Sequence, residues 1–268
     1  MNKNLIYNYL ILSLFSFIGL KSHAQILNID RENGLDTLNR RFHAALDFSF
    51  ALDKQKGDFL DINNKTEFDL KVKKKMILIF LNSTELSLSG KSVIENNGYF
   101  QLRFRDNDKR KIFPDTYAQY QWNGVLGMKQ RFLFGSNMRI NWMEGKETDL
   151  YSGFGAFYEY EFWDPAFATL EFADTLTSVN RQIFRLNISL KYAVKLGEKV
   201  DLVLINYAQF PLNEYFLKPR WFLDSNVNIA FNEKWSALIH YSHNYDLYRP
   251  LPIDSYYYSL TIGFRVQF

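Results

Sequence analysis

Arginine and carboxylate side chains recur along this 268-residue chain at spacings that could set them face to face. Arg103 and Asp115 bracket one turn, Arg131 precedes another with Glu159 and Glu161 beyond it, and Arg139, Arg181 and Arg185 lie in the neighbouring runs. Such groups can do one of two things. They can neutralise one another inside a closed structure, or they can ring a passage and select ions by charge. The four histidines are the other chemically versatile residues. His243, between Tyr241 and Tyr245, could serve as the base of a Ser-His pair, for which a serine must lie within hydrogen-bond reach. Ser225 is the nearest serine expected on the same face. His43 and His240 are far apart among scattered carboxylates, and a metal needs convergent ligands, so no metal, no cofactor and no catalytic residue is expected. The chain has no cysteine, which removes thiolate chemistry and disulfide frameworks.

What could position these groups is a series of strands. From Arg41 to Asp53 the even positions are Phe42, Ala44, Leu46, Phe48, Phe50 and Leu52, while the odd ones include Arg41, His43, Asp47, Ser49 and Asp53. That is the period-two alternation of a strand with one apolar face. The same pattern recurs in twelve runs, near 41–53, 59–72, 76–89, 99–105, 112–123, 130–142, 150–163, 181–195, 200–210, 220–231, 235–247 and 256–268. Segments with Gly, Pro, Asn, Asp or Lys separate them, as hairpin turns require. A turn centred near Lys146 puts Arg131 opposite Glu161 with Glu159 on the diagonal, and one near Lys109 puts Arg103 opposite Asp115. Directly opposed charges attract and help fix register. A turn near Glu233 pairs Ser225 with Tyr241, one step away from His243.

The apolar faces of these runs carry no Lys, Arg, Asp or Glu; their most polar members include Asn64, Asn82, Gln130, Asn206 and His243. A soluble sheet has no reason to be so strict. A lipid-facing strand has one, because a Lys or Arg at the bilayer midplane costs about 2–4 kcal/mol. The tryptophans fall near strand ends, Trp142 and Trp235 at one end and Trp122, Trp163 and Trp221 at the other, as aromatic girdles would place them. At the carboxyl terminus Leu260, Ile262, Phe264, Val266 and Phe268 form one apolar face, and Phe264, Val266 and Phe268 read as an insertion signal. Residues 1–24 have the parts of a secretory leader: Lys3, an apolar stretch from Leu5 to Leu20, and Ser22-His23-Ala24 before Gln25. Backbone groups in lipid must all be paired, so strands can cross only as a closed barrel. The expected organisation is a signal peptide over 1–24, a periplasmic segment over 25–40, and an all-β, closed antiparallel transmembrane β-barrel of about twelve strands over 41–268 in the outer membrane of a Gram-negative cell.

Several segments resemble the salt-induced outer-membrane protein family, a barrel family of unassigned activity. They are Tyr117-Ala118-Gln119-Tyr120-Gln121-Trp122-Asn123, Arg131-Phe132-Leu133-Phe134-Gly135, Tyr158-Glu159-Tyr160-Glu161, Asn206-Tyr207-Ala208-Gln209-Phe210-Pro211 and Tyr245-Asp246 with the Pro250 loop and Gly263-Phe264. The resemblance implies an outer-membrane barrel linked to salt or osmotic response and supplies no catalytic residues.

Removing the leader takes Lys3 and Lys21 from the 32 basic residues and nothing from the 29 acidic ones, so the mature charge is about +1. Nucleic acid, which calls for a basic stripe, is not an expected partner. The expected partners are outer-membrane lipids, the barrel-assembly machinery during insertion, and small solutes or ions if the interior is open. Two functions remain: a non-enzymatic barrel, either a narrow passive channel or a structural one, or a membrane-embedded lipid-modifying enzyme of phospholipase or acyltransferase type.

Overall fold

A computed structural model of the chain describes residues 41–54, 58–73, 76–90, 92–106, 112–145, 147–167, 177–232, 235–251 and 254–266. The leader, the 25–40 segment and Phe268 lie outside the described residues. Twelve strands are present among the described residues: β1 (Phe42–Lys54), β2 (Asp58–Lys73), β3 (Met76–Ser89), β4 (Ser92–Asp106), β5 (Ile112–Asn123), β6 (Met128–Glu144), β7 (Thr148–Trp163), β8 (Val179–Lys195), β9 (Val200–Pro211), β10 (Arg220–Ala230), β11 (Trp235–Asp246) and β12 (Tyr256–Val266). They form one sheet in which each strand pairs antiparallel with the next in sequence; among the described residues the ladder runs from β1 to β12 and has no rung joining those two. No helix among the described residues is long and apolar enough to cross a membrane.

Most strands start and stop where alternation does. The exception is β4, which begins at Ser92 where the pattern predicts 99. The missed stretch, Ser92-Val93-Ile94-Glu95-Asn96-Asn97-Gly98, does not alternate and is rich in turn formers. It is held by its neighbour: Ser89 pairs with Ser92, and Gly90, at φ 59°, makes the tight connection. A bulge between Ser87 and Leu88 absorbs the irregularity. Gly98 stays bare because the indole of Trp122, from the paired position on β5, lies across it.

The two sides of the sheet differ in kind. One side exposes Phe42, Leu46, Phe48, Phe50, Phe100, Leu102, Phe132, Phe134, Phe154, Phe184 and Ile262, with Phe134 still 64% exposed. The other side buries Arg103, Asp115, Arg131, Glu159, Glu161, Arg181, Arg185 and Arg220 along with Tyr117, Phe157 and Tyr207. Contacts on that buried side skip strands. Flat neighbours lie about 4.8 Å apart, so β7 and β10 would be roughly 14 Å apart, yet Arg220 of β10 reaches both glutamates of β7. The sheet is therefore bent toward its polar side.

The connections are asymmetric. At the end where β1 starts they are short, down to 74–75, 196–199 and 231–234; at the other end they include 164–178, 212–219 and 247–255. The tryptophans divide as expected between the ends, with one correction. Trp163 does not face outward: it is 2% exposed on the concave side, where Nε1 donates to Glu161 Oε2 at 3.1 Å.

Candidate functional site

The densest chemistry lies on the concave side of β6 to β11. Antiparallel register sets Arg131 opposite Glu161, as the turn near Lys146 predicts. Arg131 Nε donates to Glu161 Oε1 at 2.7 Å and lies 3.1 Å from Glu159 Oε1. From β8, Arg181 Nε donates to Glu161 Oε2 at 2.8 Å and Arg185 Nε to Glu159 Oε2 at 2.5 Å. Arg220, at the first position of β10, ties these together. Its Nη1 donates to Glu159 Oε1 at 3.0 Å, its Nη2 to Glu161 Oε1 at 3.4 Å and its Nε to Asp246 Oδ2 at 2.9 Å. Each carboxylate is out of water and shared among several guanidiniums, which is what makes a buried charge tolerable.

A second cluster sits on β4, β5 and β6. Asp115, fully buried, is met by Arg105 Nη2 at 3.4 Å, Arg103 Nε at 3.5 Å and Arg139 Nη1 at 3.9 Å. The register corrects the turn arithmetic. Asp115 stands directly opposite Arg105, and Arg103 opposite Tyr117, so Arg103 reaches Asp115 on the diagonal. The hairpin is centred one residue later than the expected Lys109, a shift of two in pairing that keeps the same face inward. Arg139 also lies over the rings of Phe113 at 5.4 Å and Tyr151 at 5.3 Å. Between the clusters, neutral hydrogen bonds fill the space: Gln101 Nε2 donates to Gln119 Oε1 at 2.8 Å, Gln119 Nε2 to Gln121 Oε1 at 3.0 Å, and Asn187 Nδ2 to Asn137 Oδ1 at 3.2 Å.

The loop after β11 folds onto the first cluster. Arg181 Nη1 donates to the Tyr248 carbonyl at 2.6 Å and stacks on its ring at 4.6 Å, while Tyr248 stacks on Tyr215 at 4.3 Å. Tyr248 N–H donates to Asp246 Oδ1 at 3.0 Å. Leu251 is buried in one cluster with Leu126, Met128 and Trp163 from the β5–β7 region. Tyr248 and Leu251 thus lie against the concave side at the end where the long connections lie.

All eight expected charge-network residues, Arg103, Asp115, Arg131, Arg139, Glu159, Glu161, Arg181 and Arg185, are buried on that side, though in two clusters. Sequence reasoning misses Arg220 and Arg249. Arg220 has the parity of Asp224 and Asn226 in its run, but its partners lie three strands away, beyond the reach of turn arithmetic, and Arg249 lies in a loop. Of the terminal signal, Phe264 pairs with Ala237 and Val266 with Trp235 on β11.

The histidines separate. His243 lies on the outward side opposite Leu223, with Ser225 opposite Tyr241 as expected. It stacks edge-on against Tyr256 at 4.7 Å, and its Nε2 has no hydrogen-bond partner. His240 Nε2 lies 2.7 Å from Asp224 Oδ2 on the concave side. His43 stands apart from other ligand types in sequence, but register puts Asp69 directly opposite and Glu67 two residues along the same face. The ligand-type atoms of His43, Glu67 and Asp69 lie within 4.8 Å of one another. Both carboxylates carry further interactions.

No protein-family profile matches the chain, and no curated protein does.

Proposed function

We propose that the sheet closes into a β-barrel of the outer membrane, exported on a cleaved leader, and that this barrel is non-enzymatic and shut at rest. The observation that carries this reading is the inverted burial: large apolar residues face out in a continuous belt while arginines and glutamates are buried. A soluble protein avoids an exposed apolar patch of that extent; a lipid-facing surface requires it. Connections that are all short at one end, with the three longest at the other, match the periplasmic and external sides of such barrels. Curvature toward the polar side, with Arg220 reaching across two intervening strands, supports closure.

Inside, the ion pairs and the 247–255 loop leave a structural or gated barrel as the better reading than an open pore. Purified protein in a planar bilayer is expected to show no steady conductance, and Leu251→Asp is expected to produce opening steps by freeing the loop from Trp163 and Met128. Steady wild-type conductance would remove the shut state. Extraction of the mature chain into buffer without detergent would remove the membrane assignment. A role in salt or osmotic response follows from the family resemblance alone, and its test is survival of a deletion strain at raised salt. The enzymatic alternative has only His243 to offer, and no serine pairs with it among the described residues; fatty-acid release from phospholipid vesicles that is lost in His243→Ala would establish it.

A further inference from the structure

Two histidines share the face of the buried carboxylates, and they are held differently. His240 Nε2 lies 2.7 Å from Asp224 Oδ2, while the other oxygen of Asp224 accepts from Asn226 Nδ2 at 2.6 Å. That contact is a made hydrogen bond. His43 Nδ1 stands 3.7 Å from Asp69 Oδ2, too far for one. The nitrogen is nonetheless buried, with no hydrogen-bond partner.

The ladder between β1 and β2 fixes what surrounds it. Pairing runs without a shift from Phe42 opposite Leu70 to Lys54 opposite Asp58, so His43 faces Asp69, with Glu67 two residues along the same side. Asp69 is fully buried and Glu67 nearly so. Ile79 and Leu81 of β3, opposite Asp69 and Glu67, are buried as well and wall the carboxylates on that side. One ligand-type atom from each of His43, Glu67 and Asp69 lies within 4.8 Å of the other two. Nitrogen and carboxylate ligands sit about 2.0–2.2 Å from a divalent ion, so around a tetrahedral centre they stand about 3.4 Å apart. The distance from His43 to Asp69 is wrong for a hydrogen bond and close to right for two ligands of one ion. The His43 side chain keeps 28% of its surface exposed, which leaves an entry path.

We propose that His43, Glu67 and Asp69 bind a divalent cation of the zinc class. An imidazole nitrogen beside two carboxylates favours first-row transition ions and zinc over magnesium and calcium, which take oxygen ligands. Each carboxylate has two oxygens, so the further interactions of Glu67 and Asp69 leave room for one metal bond apiece. Three protein ligands leave a fourth position for water. Because the ligands come from both strands, the ion pins β1, the first strand of the ladder, to β2 at the end where the connections are short.

The test uses the mature full-length chain in detergent micelles, stripped with a chelator, dialysed and titrated calorimetrically with zinc chloride. One saturable site per chain is expected, undisturbed by excess magnesium, and weakened by about tenfold or more in His43→Ala and in Glu67→Gln. His240→Ala is expected to bind as wild type does. The two ligand variants lie on different strands, so one keeps the test available if the other fails to fold, as judged by heat-dependent migration on a gel. No saturable zinc uptake would overturn the proposal, as would uptake equal to wild type in a folded His43→Ala or Glu67→Gln. Loss in His240→Ala with His43→Ala unchanged would place the ion elsewhere, and displacement by magnesium would overturn its class. A failure here leaves the membrane barrel standing, since extraction and conductance do not depend on the cation.

Discussion

Around Asp115 the arginines come from β4 and β6, the strands on either side of it, whereas Arg220 reaches Glu159 and Glu161 from three strands away. Both clusters are buried, and both place more guanidiniums than carboxylates in direct contact. They differ in what they fasten. The Asp115 cluster reinforces pairings that backbone hydrogen bonds already specify, so it adds to register. The Arg220 cluster joins parts of the sheet that no backbone ladder connects, so it sets curvature and holds the loop. Similar side chains are thus local glue in one place and a cross-brace in the other.

The largest expected effect breaks the cross-brace. Arg220→Ala leaves Glu159, Glu161 and Asp246 short of a shared partner in a dry site, where loss of one member of a buried ion pair costs about 3–5 kcal/mol. Urea unfolding in micelles should show it, together with looser protection of residues 247–255 in hydrogen exchange. Arg103→Ala should cost less, about 1–3 kcal/mol, because Asp115 keeps Arg105 and Arg139. Equal losses for the two would mean that spanning skipped strands adds nothing. Glu159→Gln sharpens the contrast from the other side: it leaves Arg131, Arg185 and Arg220 facing a neutral group, and should cost about 2–3 kcal/mol in the same unfolding measurement. Lys129→Ala provides the floor. Its pair with Asp164 at 3.3 Å is half exposed on the lysine side, and exposed pairs contribute about 0–1 kcal/mol, less at high salt.

The same contrast explains which features are legible in the amino-acid sequence. Pairings between successive strands follow from alternation and turn position, which is why Arg131 opposite Glu161 is readable and Arg103 is off by one turn step. The eight charged residues can be found because each shares its parity with other polar positions of its alternating run, as Arg181, first in its run, does with Arg185, Asn187 and Ser189. Arg220 shares its parity with Asp224 and Asn226, but its reach to β7 crosses two strands and no pairing of successive strands foretells it; Arg249 is in a loop and carries no period. The inward turn of Trp163 is hidden for a related reason: a tryptophan at a strand end reads as a girdle residue, and only its parity with Glu161 and Glu159 betrays the side it faces. The early start of β4 is hidden because a partner strand, not its own sequence, holds Ser92 to Gly98 extended.

Among the described residues every rung joins strands that are consecutive in sequence, so these strands can be laid down one hairpin at a time, with little chain entropy lost at each step. The Arg220 contacts obey a different clock. They need β7 and β10 both in place, and the Tyr248 and Leu251 contacts need β11 as well. The brace therefore waits for β10 and its loop for β11, and until then Glu159 and Glu161 are held only by Arg131, Arg181 and Arg185 of the adjacent strands. Locking of the brace is thus a late step that shares charge between strands no ladder joins.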